Sequence, residues 1–447
     1  MTDNDGILRS ISRSRASVAP YKYNGPSLEA ACLAAESLTK RARQEAPTWW
    51  DSSVGGLALA NFDLTGVSLR ATDMTGANLA GSDLSEVRAA RVILRGAHLE
   101  RARLDRADLA SADLAGAIAG ESSFTGALLE DAVLCNANLR FANLSDAVLD
   151  GTKFDGADLW GAVLEGADAP NSVFRKAELS EARLAGVNLT AADLHEACLK
   201  RTDLRGAKLV GANLQETQLD GAVLDGADLT GALLAQVSLT RCSLRNIRLA
   251  GAWLDQTRIE VAQLGGAVGE ELNGEFEAAC NAYGVLERNF ISLGNTDASI
   301  WAYRRRRRMG KMYAWDQMRS SWRQKRVRLA LRHGVSWATD VFVEWLCDYG
   351  ESLQRVARAF FVVMVIYAIF FGLHGSLVST STDDQSILQY GLQLLLYSAG
   401  GLTTVGTSNL ELRPSSTLAA LVASSESIVG PILLGLFGFV LGNKLRR

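Results

Sequence analysis

From Leu59 to Leu264 every fifth residue is Leu, Ile, Met or Phe, and the frame never slips. Ala89, Ala119 and Ala169 are the exceptions. In the run ANLRFANLSDAVLDGTKFDGADLWGAVLEGADA, residues 137–169, a small or β-branched residue stands two places before each large one. Examples are Ala137, Ala142, Ala147, Thr152, Ala157 and Ala162, and Asp or Asn most often comes directly before the large residue. Neither a helical nor a strand period divides this spacing, so the segment is neither an ordinary helix nor an ordinary strand. Self-similarity on this scale demands a solenoid, in which each coil buries the apolar face of the next.

The recurring A(D/N)LxG resembles the pentapeptide-repeat family. The resemblance implies a right-handed quadrilateral β-helix over 51–268, with one pentapeptide per face, four per coil and the large residues stacked inward. Phe154 and Phe174 are then expected to stack in adjacent coils, and the three alanines to thin the ladder. Pro170 is expected to mark a bulge or short loop. End coils expose apolar ladders and need caps. Residues 1–50 are read as an N-terminal segment with a capping helix over 27–48, and Trp49 and Trp50 lie just before the first coil. Some members of this family resemble duplex DNA and protect gyrase from quinolones. A phosphate mimic should be more uniformly acidic than a surface bearing Arg101, Arg103, Arg106, Arg201, Arg205 and Lys208. A rigid rod or partner platform is therefore the preferred reading. His98 and His195 lack evident partners, and no nucleophile–base pair or ligand cluster stands out. No enzyme, catalytic residue, resident metal or cofactor is expected.

The net charge of -3 hides an asymmetry, because 51–268 is acidic while 301–332 is almost purely basic. Cys32, Cys135, Cys198, Cys242, Cys280 and Cys347 are scattered without a CxxC, which suits a reducing compartment. The start MTDNDGILRSISRSR has no apolar core, so no secretory signal is expected and the first domain should stay in the cytoplasm. Residues 270–350 read as a helical, basic and aromatic juxtamembrane linker with a turn at Leu293-Gly294-Asn295. Phe276, Cys280, Tyr283 and Leu286 share one helical face. Arg304, Arg305, Arg306, Arg307 and Arg308 follow, with Trp301, Tyr303, Tyr313, Trp315 and Trp322 interleaved around them. Arg with aromatics suits nucleic acid. The nearby apolar stretch instead favours a patch on the cytoplasmic surface of a lipid membrane, so nucleic acid is the disfavoured partner. DVFVEWLCDYG, residues 340–350, suits a short interfacial helix.

Two runs, 359–377 and 417–447, are apolar enough to cross a bilayer. Arg355 and Arg358 before the first, and Lys444, Arg446 and Arg447 after the second, place both ends in the cytoplasm of a bacterial inner membrane. Asp383 and Asp384 then draw cations to an outer mouth, and His374 is an interfacial side chain. Residues 387–401 suit a re-entrant half-helix whose carbonyl end favours a cation. The segment SAGGLTTVGTSNL, residues 398–410, follows. Together residues 355–447 resemble the two-helix pore module of potassium and related cation channels. The resemblance implies an α-helical membrane pore domain (transmembrane helix, pore loop, transmembrane helix), a homotetramer and a filter lined by carbonyl rings.

By position, the filter comprises Thr403, Thr404, Val405, Gly406, Thr407 and Ser408. Thr404, Val405 and Gly406 match T-V-G, while Thr407 and Ser408 replace the Tyr and Gly that usually follow. Ser408 resists positive φ, so the outermost ring is expected to be lost or widened. The permeating ion, K+ or Na+, stays open. Gly430 is the expected gating hinge. Glu426 either bonds behind the filter to the pore helix, the supporting role that the resemblance favours, or faces the ion path, and Ser424, Ser425 and Ser427 are candidates for its hydrogen bonds. The expected function is a cation channel whose cytoplasmic solenoid meets a protein partner or a mechanical load. The alternatives are a membrane-anchored scaffold that conducts nothing, or a gyrase-type DNA mimic.

Overall fold

The computed structural model describes residues 50–51, 56–350, 352–373, 377–379, 387–403 and 412–445. They fall in two compact units, Met1–Met309 and Gly310–Arg447. The expected capping helix over 27–48, Trp49, His374, Asp383, Asp384 and the stretch Thr404–Ser408 lie outside the described residues. The first unit opens with a short antiparallel pair, β1 (Trp50–Asp51) and β2 (Gly56–Leu57).

The repeat then winds with a coil length of twenty residues. Parallel bridges join outward residues twenty apart, from Ala58↔Asn78 to Ser238↔Arg258, with Gln218 and Ser238 the one pair of that series left unbridged. Each face contributes a single bridge residue rather than an extended strand. Two backbone bonds per face tie the coils, as in Leu79 N to the His98 carbonyl (2.7 Å) and His98 N to the Ala77 carbonyl (2.9 Å).

Each letter of the five-residue motif has a physical cause. The large residue is fully buried along the whole axis, from Leu59 to Leu264. The small residue is buried beside it, and where it carries a hydroxyl a core carbonyl accepts that proton. Thr152 and Thr202 donate to the Leu129 and Leu179 carbonyls, each at 2.8 Å. The Asp or Asn folds back on the corner, as Asp73 Oδ1 accepts from Thr75 N at 2.9 Å. The fifth position is left-handed at every repeat from Asn61 to Gln236, with Gly116 at φ 65 and Arg101 at φ 58, which is why glycine recurs there.

Phe154 and Phe174 stack with ring centroids 4.6 Å apart and planes 5° apart, as twenty-residue spacing requires. Ala89, Ala119 and Ala169 hold the frame fully buried. Pro170 makes no bulge. It occupies a regular corner where the N–H is not used between coils, and its carbonyl still accepts from Gly151 N (3.0 Å).

A 3-10 turn (Val261–Leu264), α1 (Gly269–Leu272) and α2 (Phe276–Ser292) close the far end. Here side chains replace the missing next coil. Buried Glu270 accepts from Leu249 N and Ala250 N, both at 2.7 Å. Asn289 accepts from Thr257 N (3.1 Å) and donates to the Thr257 carbonyl (2.8 Å), acting as a strand edge would. Tyr283 and Leu286 are fully buried, and Phe276 and Cys280 pack on the same core, so the apolar face read from the sequence is the one that docks. The turn at 293–295 leads into α3 (Thr296–Arg323).

In the second unit, α4 (Val327–Cys347) is one helix of 21 residues, far longer than the short interfacial helix expected over 340–350. It is followed by α5 (Leu353–Leu373), β3 (Leu377–Ser379), α6 (Ile387–Thr403), β4 (Leu412–Pro414) and α7 (Thr417–Leu445). Helices α5, α6 and α7 pack on one another, and α4 packs on α5. The first apolar run begins its helix earlier than its composition suggests, at Leu353, and has left helical geometry by Leu377.

Candidate functional site

Two helices are long and apolar enough to cross a membrane, Leu353–Leu373 with mean hydropathy 2.3 and Thr417–Gly442 with 1.7. The shorter α6 lies between them in sequence. β3 and β4 pair antiparallel, with Leu377 opposite Pro414 and Ser379 opposite Leu412. The chain therefore leaves α5 and rejoins α7 at one level, with α6 an excursion between the two.

The core of this excursion is aromatic. Phe371 of α5 and Tyr397 of α6 meet edge to face at 5.7 Å, with Ala368 and Leu394 beside them and Val422 and Ala423 of α7 against them. Beneath it lies Glu426, 1% exposed. Its Oε1 accepts from Ser398 Oγ of α6 at 2.7 Å. The same hydroxyl stands 3.1 Å from the Met364 carbonyl of α5, so one serine touches all three helices. Of the serines expected to hold Glu426, Ser424 donates to the Ala420 carbonyl (2.8 Å) and Ser425 to the Val422 carbonyl (2.7 Å). Ser425 also meets Tyr367 Oη of α5 at 2.8 Å. Helix geometry turns such hydroxyls back on their own preceding turn. The partner is Ser398 of α6, so Glu426 does bond to the pore helix as expected, but through a serine distant along the chain rather than through its neighbours.

Two glycines make the close approach possible. A Cβ on Gly401 would come 2.6 Å from Glu426 Oε2. A Cβ on Gly430, buried in α7, would run into the carbonyl and Cα of Leu402. Gly430 therefore presses directly on the last turn of α6. Thr403, read as the first filter residue, is the last residue of that helix, and its Oγ1 donates to the Ala399 carbonyl at 2.7 Å. Among the six filter positions it alone is described.

Of the five consecutive arginines, Arg304 to Arg307 are half-buried and Arg308 is exposed. Arg305 pairs with Glu271 at 2.6 Å and lies over the Trp301 ring at 5.9 Å. Arg306 pairs with Glu287 at 3.0 Å and lies over Tyr303 at 5.7 Å. Tyr283 Oη donates to the same Glu271, and burial pushes the tyrosine well above its ordinary range. These two arginines thus seal the solenoid's cap. The solenoid histidines also have partners: His98 Nδ1 lies 3.3 Å from Glu100, and His195 lies 3.2 Å from both Glu196 and the Gln215 carbonyl. Glu100 and Glu196 are near neighbours along the chain, whereas the Gln215 carbonyl, twenty residues from His195, comes into reach only through the coil. The five described cysteines are free thiols, and burial raises Cys242 to about 11.

The family profile described as pentapeptide repeats matches in eight copies, over residues 58–88, 82–118, 122–161, 161–195, 188–226, 197–236 and 222–260. No curated protein matches the chain. Among solved structures, HetL, a pentapeptide repeat protein involved in heterocyst differentiation regulation in the cyanobacterium Nostoc, is 30% identical. That match covers 46% of this chain and 93% of HetL, with a TM-score of 0.45. QnrB1, a plasmid-mediated fluoroquinolone resistance protein, is 18% identical over 39% of this chain and 93% of its own, with a TM-score of 0.27. A pentapeptide repeat protein of the Arabidopsis thaliana thylakoid lumen is 33% identical over 25% of this chain and 63% of its own, with a TM-score of 0.15. The period-five core, the twenty-residue coil and the family profile agree: the chain belongs to the pentapeptide-repeat proteins.

Proposed function

We propose that the chain is one subunit of a homotetrameric cation channel of a bacterial inner membrane, with K+ or Na+ as the permeating ion. The observation that carries this reading is the β3–β4 pairing, which returns the chain after α6 to the level it left. A helix that crossed the bilayer would separate those strands by its thickness. An apolar helix that enters and returns is tolerated only where protein or a water-filled path surrounds it. Its carbonyl end leads into Thr404, Val405, Gly406, Thr407 and Ser408, whose carbonyls would replace the ion's hydration shell around a shared axis. Glu426 takes the supporting role, holding α6 through Ser398. Gly430 precedes Pro431, which lacks the N–H to continue the helical ladder, and the pair supports a hinge directly behind the filter. Asp383 and Asp384 would attract cations to the outer mouth. Both termini, with the solenoid, lie in the cytoplasm.

Reconstitution in lipid bilayers tests the reading. Cation current is expected, its reversal potential in mixed potassium and sodium gives the selectivity, and Gly406→Asp should abolish it. Absence of current from a correctly assembled oligomer overturns the proposal.

A second reading, a membrane-anchored scaffold that does not conduct, is favoured by one surface feature. Phe141 is 51% exposed and meets Trp160 edge to face at 4.7 Å, with Arg140 over the same indole at 4.6 Å. Such an aromatic cluster suits a protein partner of the solenoid. DNA mimicry is less well supported, since acidic groups that would imitate phosphates are paired: Glu121 with Arg101 (2.9 Å), Asp193 with Arg175 (2.5 Å) and Glu165 with Arg183 (2.7 Å). A supercoiling assay with gyrase that shows no inhibition would remove it.

A further inference from the structure

The junction between α4 and α5 is a fixed elbow. Asp348, Tyr349 and Gly350 are left-handed in succession, at φ 51, 58 and 91. Cys347, Val356 and Val440 bury themselves around it, so α4, α5 and α7 converge there. Beside the elbow lies a cavity of about 340 Å3, lined by Val341, Glu344, Trp345, Arg355 and Arg358.

The charges in and around this cavity do not balance. The Glu344 carboxylate is taken by Lys311 Nζ. Arg355 donates to the Glu344 carbonyl at 2.8 Å and pairs with Asp348 at 3.5 Å. Arg358 stands one turn further on α5, exposed, with no hydrogen bond or ion pair to any described residue. The space is roughly ten times the share of one water in the liquid (about 30 Å3). Its walls are a cationic edge and an apolar edge, the latter made by Val341 and the half-exposed Trp345 ring. Directly after Arg358 begins the uncharged run that opens Ala359-Phe360-Phe361, so the cavity stands at headgroup depth on the side where positive charge gathers.

We propose that this cavity binds the phosphate of an anionic glycerophospholipid, with Arg358 donating to the phosphate oxygens, Arg355 adding positive charge, and Trp345 and Val341 covering the glycerol backbone. The proposal rests on the membrane placement of α5 and α7 given above, but not on conduction. A lipid held there fastens α4 to the foot of α5, where the chain's soluble portion meets its apolar helices.

The full-length protein, delipidated in detergent, is titrated with phosphatidylglycerol, phosphatidylcholine or glycerol 3-phosphate, and bound lipid is counted by native mass spectrometry. Phosphatidylglycerol should bind at one site per subunit, and phosphatidylcholine should not. Arg358→Gln should weaken that binding about tenfold, the size of one charge-assisted bond, and Arg358→Lys should restore part of it. Arg358 bonds none of the described residues, so its replacement should leave thermal unfolding in pure detergent unchanged. The proposal is overturned if Arg358→Gln binds phosphatidylglycerol as tightly as the parent, if phosphatidylcholine binds equally, or if glycerol 3-phosphate displaces the lipid at matching concentration. Potassium flux after the same preparation is reconstituted into sealed vesicles separates the two readings: absent flux with intact lipid binding removes the channel alone, and lost lipid selectivity with intact flux removes only this site.

Discussion

The solenoid and the α5–α6–α7 cluster are both built from apolar residues, yet they are specified in opposite ways. In the solenoid every contact recurs. Leu79, Leu99, Leu139 and Leu159 do the same work in one column, with Ala119 at the level between the second and third, and the same two backbone links recur from coil to coil. In the helical cluster the decisive contacts occur once: Ser398 on Glu426, Gly401 against that carboxylate, and Gly430 on Leu402. Repetition makes a structure legible and locally forgiving, whereas a unique contact is neither.

The largest test of this contrast is Phe154→Ala. Removing a ring stacked 4.6 Å from Phe174 leaves a cavity that a narrow tube cannot collapse, so a loss of about 3–5 kcal/mol is expected in denaturant unfolding. Neighbouring coils should keep their amide hydrogen-exchange protection, because each contacts only the next. Global loss of protection would break the comparison. Gly430→Ala comes next. The added methyl meets backbone rather than a flexible side chain, and about 1–3 kcal/mol should be lost from the helical unit. Unchanged thermal unfolding would show that α7 stands off from α6.

The smallest test concerns Glu270, the carboxylate that ends the solenoid. Burial, the dominant influence, raises it above its ordinary value of 4.5 despite two backbone donors. An acid raised in the folded state holds its proton longer there than in the unfolded chain. Its contribution to stability is thus fully present below 4.5 and is lost as pH rises through the higher folded value. Glu270→Gln should keep the acceptor for Leu249 N and Ala250 N and flatten that part of the stability–pH curve. An unaltered slope would place the titration elsewhere.

The same contrast explains what could be read from the chain alone. The five-residue period gave the fold, the core and the Phe154–Phe174 stack, since a repeated pattern reports its geometry many times over. The apolar face of α2 was legible for the same reason, being periodic, and the turn at Leu293-Gly294-Asn295 through its glycine, left-handed at φ 70. Glu270 and Asn289 were not, because they stand in for backbone of a coil that does not exist, and nothing in their neighbourhoods along the chain marks that. The pore helix was legible as the partner element of Glu426 but Ser398 was not, because three nearer serines obscure it, and 270–350 was legible as helical while the length of α4 was not. At the proposed ion path, Thr403 proved to close a helix, while the residues from Thr404 to Ser408 rest on motif and position alone.

The twenty-residue bridge spacing has an evolutionary corollary. A tandem duplication of sixty nucleotides, in frame, inserts one complete layer and leaves every column above and below aligned. An insertion of one codon rotates all later side chains out of their columns. Such a rod can grow or shrink only in whole layers, which makes its reach a heritable variable adjustable in steps without redesign of either end.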